Sequence, residues 1–520
     1  MPKFQWKQKT AQLRLPWAKI LAAVTIIFVF INFLQFRFHK EILVLDFYTE
    51  MSYMELEKTN AFVHSSYYFE NSKSLGENAI AIVATMSKEA VTDLNKFKIK
   101  IVGTNSTNRF VTDGIITTEH DPDESCEYTS VLITTNTLNH MSKLEFETRD
   151  GLFVLPIMEP KQSSPKPVVF CIAPLFAAEQ WQSLLMQLHV SKHYGAHLHV
   201  YMTTLVEYYY QLAKELEEHE MLTLQAWIVM KFSQVEKPFP DPNFRTELRN
   251  PAAAYTDCLL QYKEVAQFVG FMEIEDLLFP VNANTYYEEF EKEYEQSLLV
   301  SALYYKVIEQ QSEKSSDPSQ QSLAQFIGKS SILNTAKLGR VIVRPERYNS
   351  TWTHYSTQAD IRPIFLTQTQ DEPLFMRRKE ITTNAVLNFK QMEMVVNSSD
   401  NRTMEIPMNP MSPDLKFLTE EQLESIEKDI ELTMSLPSLQ KLAKTAPTED
   451  FYSVALKECL SNQRSGKGQC VNTRKCKLPK NATLICRHSD GLYHSGSIMK
   501  PFTFHFATEP YFTRNLGCYV

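Results

Sequence analysis

The stretch FVGFMEIEDLLFP, residues 268–280, decides how the centre of this chain folds. It begins with an apolar run of the kind that forms a buried strand, and it ends at Pro280, which interrupts regular structure. Three carboxylates, Glu273, Glu275 and Asp276, follow the apolar run directly. We therefore expect a buried strand over residues 267–276 whose carboxyl end carries acidic side chains.

Apolar runs and helical patterns alternate on the amino-terminal side of this strand. Predicted strands cover residues 167–176, 196–203 and 222–230, and predicted helices cover residues 179–195, 207–220 and 250–266. Such alternation is typical of a parallel sheet covered by helices on both faces. The sequence thus predicts an α/β fold with a mostly parallel sheet and flanking helices, which binds ligands at the carboxyl ends of its strands.

The acidic residues at the end of the predicted strand indicate a cation site. In a strand, residues i and i+2 face the same side, so Glu273 and Glu275 are expected to project together. Two adjacent carboxylates repel each other unless a cation lies between them, and Mg²⁺ or Mn²⁺ prefers such oxygen ligands. The alternative is a strand end that emerges into solvent, where the acids are simply hydrated.

The amino-terminal residues predict a membrane anchor. Residues 20–36 contain no charged side chain. The length of this run is at the lower limit for a helix that spans a bilayer. Only basic charged residues precede this run, which places residues 1–19 in the cytoplasm as a tail. We expect a single-pass type II membrane protein with an uncleaved signal-anchor over residues 20–36. A cleaved signal peptide is the alternative.

Two further features agree with a lumenal location for the rest of the chain. Acceptor motifs for N-glycosylation occur at Asn105, Asn349, Asn397, Asn401 and Asn481. The chain has 8 cysteines, most of them near the carboxyl terminus, which predicts a disulfide-bonded segment over residues 446–520. A zinc site is the alternative for these cysteines.

Composition bounds the remaining organisation. Residues 37–160 form a predicted stem and β-rich lumenal region, residues 166–445 a predicted α/β domain, and the polar residues 309–322 an exposed loop. The net charge is −8, from 53 basic and 61 acidic residues, so the chain lacks the basic excess that a nucleic-acid partner requires. No glycine-rich phosphate-binding motif occurs.

Several motifs together resemble glycosyltransferase family 92, over about residues 168–390. The resemblance comprises a helix bearing Asp-Cys, an apolar strand ending in acid-x-acid plus a third acid and a proline, and a basic strand followed by Arg-Pro-Glu and a histidine. The matching positions are Asp257, Cys258, Glu273, Glu275, Asp276, Pro280, Arg344, Pro345, Glu346 and His354.

This resemblance implies a GT-A-like fold and an inverting transfer of galactose from UDP-galactose to a glycan, in the Golgi lumen. It implies that Glu273 and Glu275 bind Mn²⁺ or Mg²⁺ and that Asp276 and His354 are catalytic. The implied donor-binding residues are Ala173, Pro174, Arg344 and Lys390. The implied partners are a UDP-sugar donor, a glycan or glycoprotein acceptor and the membrane.

The sequence departs from the family pattern at two motifs. The usual Asp-x-Asp is Glu-x-Glu here, so each predicted ligand is longer by one methylene. The family's late His-Tyr-Arg stands here as Asn388, Phe389 and Lys390, which replaces the arginine fork by a single ammonium. These departures leave a second interpretation open, in which the chain is a weakly active or inactive lumenal protein that binds glycans or acts as a scaffold.

Overall fold

The structure is a computed structural model of the whole chain, which divides into two compact units. All the residues that can be described belong to the larger unit; they are residues 60–92, 99–118, 126–148, 151–232, 241–280, 283–295, 300–312, 322–324, 331–332, 337–352, 365–366, 374–375, 377–391, 418–447, 450–465, 469–480, 483–496 and 503–518. The predicted cytoplasmic tail and signal-anchor lie outside them. Among the residues that the structure describes, no helix is long and apolar enough to cross a membrane.

The amino-terminal part of the described chain is β-rich, as the sequence predicts. Its elements are β1 (Asn60–Ser72), β2 (Gly76–Ser87), α1 (Lys88–Thr92), β3 (Lys100–Thr104), β4 (Arg109–Asp113), β5 (Ile115–Thr118), β6 (Tyr128–Asn136), β7 (Lys143–Thr148) and β8 (Gly151–Leu155).

The central part alternates strands and helices. Its elements are β9 (Val168–Leu175), α2 (Trp181–His193), β10 (Ala196–Met202), β11 (Thr204–Val206), α3 (Glu207–Glu218), β12 (Leu222–Ala226), α4 (Pro251–Gln261), β13 (Phe268–Met272), β14 (Asp276–Leu278), α5 (Tyr286–Glu295), β15 (Val300–Ser312), β16 (Ser331–Ile332), β17 (Lys337–Val343), β18 (Phe365–Leu366), β19 (Leu374–Phe375) and β20 (Arg377–Gln391).

The carboxyl-terminal part contains helices and a long hairpin. Its elements are α6 (Glu420–Met434), α7 (Pro437–Ala443), α8 (Ser453–Ser465), β21 (Ile485–Ser495) and β22 (Thr503–Leu516).

Within the described residues, the central strands form a nine-stranded sheet in the order β12-β10-β9-β13-β17-β15-β20-β14, with β16 beside β15. The four strands β12, β10, β9 and β13 are parallel, whereas β17 is antiparallel to both β13 and β15. The sheet is therefore mixed. The chain moves outward from β9 through β10 to β12 and returns to β13 on the other side of β9, which creates a topological switch point between β9 and β13.

Close packing on both faces of the parallel strands explains their composition. The apolar residues of β9 and β13 are buried except the half-buried Ala173, as expected for a sheet covered on both sides. Gly270 lies in the middle of β13, where a Cβ atom would stand 2.6 Å from Ile342 Cδ1 and 2.7 Å from Phe170 Cδ1. Glycine is the residue that lets the neighbouring side chains meet above this strand.

A second sheet joins regions that are far apart in sequence. Its order is β11-β21-β22-β1-β2-β6-β5, so the carboxyl-terminal hairpin pairs with the amino-terminal strand β1 and with β11 of the central part. We call this seven-stranded sheet the accessory sheet. The two regions that the sequence separates as residues 37–160 and 446–520 thus contribute strands to one sheet. A further four-stranded sheet has the order β4-β3-β7-β8.

All eight cysteines form disulfides, so the prediction of disulfides is confirmed and the zinc alternative does not apply. The four pairs are Cys126–Cys470, Cys171–Cys258, Cys459–Cys476 and Cys486–Cys518. Two of them lie within the predicted carboxyl-terminal segment. Cys470 instead pairs with Cys126, which connects that segment to the β-rich region.

Two boundary predictions are wrong. The predicted strand over residues 267–276 ends at Met272, because the chain turns there. The predicted loop over residues 309–322 begins inside β15, which continues to Ser312 beside β20. Residues 313–321 lie outside the described chain.

Candidate active site

The acidic cluster lies on a turn, not on a strand. β13 ends at Met272, residues 273–275 make the turn, and β14 begins at Asp276. The Asp276 carboxylate accepts a hydrogen bond from the backbone N–H of Glu273 at 2.7 Å, and the Asp276 N–H donates to the Glu273 carbonyl at 3.1 Å. The expectation that Glu273 and Glu275 share one face of a strand is therefore wrong, and Asp276 closes the turn that carries them.

Arg340 of β17 supplies a positive charge to this cluster. Its Nε and Nη2 atoms donate to the two Asp276 oxygens, the second at 3.3 Å, and Nη2 lies 2.9 Å from Glu273 Oε2. The side chains of Arg340 and Asp276 are 3% and 0% exposed, so this is a buried ion pair. Burial acts to lower the pKa of Arg340, but the charges of Asp276 and Glu273 outweigh it and raise the pKa above its ordinary value.

This pairing bears on the predicted role of Asp276. A general base must reach the substrate hydroxyl and accept its proton. Asp276 is instead fully buried, with its oxygens bound to Arg340 and to the Glu273 N–H. The geometry gives Asp276 a part in shaping the turn and offers no support for it as the base.

Glu273 and Glu275 are more accessible than Asp276. The Glu273 side chain is 33% exposed, and Glu275 is half-buried. Glu275 lies close enough to Tyr209 of α3 that burial and the Glu275 charge together raise the pKa of Tyr209. Two half-exposed carboxylates provide oxygen donors suited to Mg²⁺ or Mn²⁺ when substrate phosphates complete the coordination. Among the described residues, no group of three or more His, Cys, Asp or Glu side chains is arranged to hold a metal ion.

The predicted donor-binding residues Ala173 and Pro174 lie at the carboxyl end of β9, beside the switch point. Ala173 is half-buried, and the Pro174 carbonyl accepts a hydrogen bond of 2.6 Å from Arg249 Nε. Burial lowers the pKa of Arg249 to about 10, and the charges of Glu275 and Glu273 oppose this shift. Arg249 thus binds the end of β9, and the charges of both glutamates act on it. Because β9 and β13 are parallel, Ala173, Pro174 and the acidic turn lie at one edge of the sheet.

Arg344 lies apart from this cluster, and its predicted role as a donor-binding residue stays a prediction. Its guanidinium stacks over Tyr294 at 4.8 Å and Phe268 at 5.4 Å, and its Nη2 donates to Glu291 Oε1 at 2.9 Å. Phe268 begins β13, whereas the acidic turn follows the end of that strand. Because β17 is antiparallel to β13, Arg340 reaches the carboxyl end of β13 and Arg344 the amino end, roughly 13 Å away at strand spacing.

The remaining predicted residues are placed in part. Lys390 lies on β20, whose backbone pairs with β14 so that Asn388 is opposite Asp276. The altered late motif is therefore next to the acidic turn along the sheet, although the side chains of β20 are not described. His354, Asn397, Asn401 and Asn481 lie outside the described residues, whereas Asn105 and Asn349 lie within them, both half-buried.

Asp257 and Cys258 serve packing in this fold. The buried Asp257 carboxylate accepts hydrogen bonds from Tyr67 at 2.7 Å, Tyr201 at 2.5 Å and Gln261 Nε2 at 2.9 Å. Tyr67 belongs to β1 of the accessory sheet, so this network connects α4 to that sheet. Cys258 forms the disulfide with Cys171 of β9, which fastens the same helix to the central sheet.

The carboxyl-terminal region holds the strand ends at this edge. The Ser489 N–H donates to the Thr203 carbonyl at 2.8 Å, directly after β10, and the Ser489 hydroxyl donates to the Trp227 carbonyl at 2.6 Å, directly after β12. The loop after β9 is fixed by the buried Glu179, whose carboxylate accepts from the N–H groups of Phe451 and Tyr452, both at 2.7 Å. The accessory parts of the chain thus determine the shape of the edge at which the switch point opens.

A small cavity lies between these strand ends and the accessory sheet. Its volume is about 30 Å³, and Phe176, Thr203, Trp227, Arg249 and Thr473 are among the residues that line it. The hydroxyls of Thr203 and Thr473 are buried and have no hydrogen-bond partner among the described residues. The cavity has room for about one water molecule, so it is not itself a nucleotide pocket.

Arg249 and Arg340 are the charged residues of this edge that sequence reasoning missed. Both Arg340 and Arg344 stand in the stretch GRVIVRPERY, and only the strand direction decides which of them reaches the acids. Arg249 stands in a segment with no regular pattern, between Leu248 with φ 45° and Asn250 with φ 61°. Left-handed residues other than glycine cost of order 1–3 kcal/mol each, and such strain clusters at functional sites.

Comparison with known proteins identifies the class. Residues 166–434 match the sequence model of glycosyltransferase family 92. The glycosyltransferase family 92 protein F55C10.4 of Caenorhabditis elegans is 41% identical over 89% of this chain and 90% of its own length. The glycosyltransferase family 92 protein ZK381.2 of the same organism is 33% identical over 89% of this chain and 90% of its own length. The chain belongs to glycosyltransferase family 92, and this membership identifies it as a glycosyltransferase.

Similarity to solved structures is weak. The crystal structure of S. aureus TarS 1-349 in complex with UDP-GlcNAc matches 53% of this chain and 68% of that chain, with 12% identity and a TM-score of 0.24. A TM-score this low supports no conclusion about fold or ligand.

Proposed function

We propose that this chain transfers a hexose, namely galactose from UDP-galactose, to a glycan acceptor with inversion at the anomeric carbon. The transfer depends on Mn²⁺ or Mg²⁺, and the catalytic sheet is of the GT-A type. The observation that carries the proposal is that the turn with Glu273 and Glu275 follows β13 at the edge where the parallel strand β9 ends, which is the switch point of a family 92 domain. Ligands of open α/β sheets bind at such points.

The chain's own residues have distinct parts in this proposal. Glu273 and Glu275 would hold the cation, which when bound neutralises the charge that develops on the departing nucleoside diphosphate. Asp276 and Arg340 fix the turn and so hold the Glu273 backbone in place. Ala173 and Pro174 border the donor. Since Asp276 is engaged by Arg340, His354 remains the predicted residue for proton transfer, and Lys390 remains a predicted donor contact from β20.

The proposed location is the Golgi lumen, with a single-pass type II anchor over residues 20–36. The four disulfides are consistent with an oxidising compartment, where such bonds persist. Glycosidase digestion of the protein made in a eukaryotic cell tests this location. A shift in mass that Asn105→Gln and Asn349→Gln each reduce would place these residues in the lumen, and a mass that digestion leaves unchanged would contradict it.

One observation favours a second function, a lumenal glycan-binding or scaffold protein without turnover. Arg340 already lies 2.9 Å from Glu273 Oε2, so a protein cation neutralises one of the two predicted metal ligands. The Glu-x-Glu sequence points the same way, because displaced ligands of this kind reduce rates strongly.

Release of UDP from a panel of UDP-sugars separates the two functions. The full-length chain is incubated with each UDP-sugar and a glycan acceptor, with Mn²⁺ or with a chelator. We expect Mn²⁺-dependent release with UDP-galactose, a β-linked product by NMR, and loss of release in Glu275→Gln. Binding of UDP and of glycan without release from any donor would favour the scaffold function.

A further inference from the structure

Arg249 is a half-buried arginine at the switch point with an incomplete set of partners. Its Nε donates to the Pro174 carbonyl at 2.6 Å, and its guanidinium lies 5.6 Å from the centre of the Phe176 ring. Among the described residues, no other hydrogen bond to its guanidinium occurs and no carboxylate lies within ion-pair distance. An arginine has five N–H donors, and buried arginines are ordinarily paired with anions.

The backbone on both sides of Arg249 is conformationally strained. Leu248 and Asn250 both adopt positive φ angles. The Leu248 N–H donates to the Val471 carbonyl at 2.8 Å, and Trp227 Nε1 donates to the Arg249 carbonyl at 3.1 Å. The Asn250 amide lies 3.0 Å from His64 Nε2 of β1. Contacts from three parts of the chain thus hold the backbone that carries the Arg249 side chain, and strain of this kind persists where the surroundings impose it.

The other arginines near β13 already have carboxylate partners. Arg340 binds Asp276 and Glu273, and Arg344 binds Glu291 at the far end of the strand. Arg249 is near the same glutamates, whose charges act on its pKa, yet it forms no ion pair with either. If the glutamates hold the cation that binds the donor diphosphate, and the end of β9 borders the donor, the diphosphate would lie near Arg249.

We infer that Arg249 binds the diphosphate of the donor through the guanidinium nitrogens that Pro174 does not occupy. This inference rests on the proposed function. A guanidinium fork matches two phosphate oxygens, and a charge-assisted pair of this kind is stronger than a neutral hydrogen bond. The guanidinium remains protonated at neutral pH because its lowered pKa is still about 10.

Calorimetric titration of the full-length protein with UDP, uridine and inorganic pyrophosphate, all with Mn²⁺, tests this inference. Arg249→Gln should weaken UDP binding by about 30-fold, which corresponds to about 2 kcal/mol, and should leave uridine binding unchanged. Arg249→Lys keeps the charge without the fork and should weaken UDP binding about tenfold. Arg245→Gln is the matched control, because Arg245 is paired with Glu127 at 2.6 Å, and this variant should bind UDP as the wild type does.

The outcomes separate this inference from the proposed function. UDP affinity that is unchanged in both Arg249 variants would overturn the inference and leave the proposed function in place. Wild-type protein that binds pyrophosphate but not UDP, with the binding lost in Arg249→Gln, would support a phosphate site at Arg249 and overturn the UDP-sugar function. Wild-type protein that binds neither would overturn both. Thermal unfolding of each variant shows whether it is folded. If Arg249→Gln does not fold, the UDP affinity of Arg249→Lys decides the inference.

Discussion

Arg340 of β17 donates hydrogen bonds from both Nε and Nη2 to the Asp276 carboxylate of β14, and the pair is almost completely buried. The Asp276 carboxylate also accepts a hydrogen bond from the Glu273 N–H, so one ion pair fixes the turn on which Glu273 and Glu275 lie. Three negative charges at the edge of a core are tolerated here because an arginine lies among them. This relationship leads to the first prediction.

Removing one member of the pair should destabilise the protein strongly. Arg340→Met leaves Asp276 buried and uncompensated, which costs about 3–5 kcal/mol of the free energy of unfolding. The double variant Arg340→Met with Asp276→Leu removes both charges and should recover most of this loss. Urea unfolding of the wild type, the single variants and the double variant measures the coupling. Losses that simply add would contradict a direct interaction between the two side chains.

The disulfide between Cys126 and Cys470 should matter more than the one between Cys459 and Cys476. The first joins residues 344 apart, and the second joins residues 17 apart. A longer closed loop restricts the unfolded chain more, and losing a disulfide costs about 2–5 kcal/mol. Replacing the Cys126–Cys470 pair by alanines should therefore lower the free energy of unfolding more than replacing the Cys459–Cys476 pair.

The Cys126–Cys470 variant should also bind UDP less tightly. Val471 follows Cys470 and accepts the hydrogen bond that fixes Leu248, next to Arg249. Calorimetry measures this effect. A variant that is less stable but binds UDP with wild-type affinity would show that the loop does not position Arg249.

Stability should fall as the pH falls from about 6.5 towards 4. Burial lowers the pKa values of His64, His199 and His505 to about 3, and that of His197 to about 4. Between these values and 6.5 the unfolded chain binds protons that the folded chain excludes, so the free energy of unfolding decreases with decreasing pH. Each such histidine contributes at most about 1.4 kcal/mol per pH unit.

The variant His505→Gln isolates one of these contributions. His505 lies between Ser495 Oγ at 2.8 Å and Asn60 Oδ1 at 2.7 Å, so a neutral ring that donates from Nε2 and accepts at Nδ1 satisfies both neighbours. Urea unfolding between pH 7.5 and 4.5 should show a shallower decline in His505→Gln than in the wild type. Equal declines would indicate that His505 is not held neutral by the fold.

The sequence predicts the central strands and helices well because their signals are local. The apolar run of β9, the helix α2 and the stop at Gly195, with φ 84°, each appear in a few consecutive residues. The family resemblance likewise rests on motifs of a few residues and is confirmed. The end of β13 is different, because a hydrogen bond from the Glu273 N–H to the Asp276 carboxylate produces the turn and the apolar pattern gives no sign of it.

The rest of the site depends on contacts between distant residues. Arg340 and Arg344 look equally suitable in the sequence, and the antiparallel direction of β17 decides between them. The pairing of β22 with β1 joins residues more than 400 positions apart, and no local pattern specifies it. Arg249 reaches the switch point through contacts with β1, the segment after β12 and the carboxyl-terminal loop, which no single stretch of sequence contains.

Binding of UDP with and without Mn²⁺, in the wild type and in Glu275→Gln, tests the central claim most directly. The account predicts that Mn²⁺ strengthens UDP binding at least about tenfold in the wild type, as expected when a cation joins carboxylates to a diphosphate. It also predicts that Glu275→Gln loses this Mn²⁺-dependent part while its unfolding temperature stays unchanged. Wild-type UDP binding that is indifferent to Mn²⁺, or a Glu275→Gln variant that keeps the full Mn²⁺ effect, would contradict it.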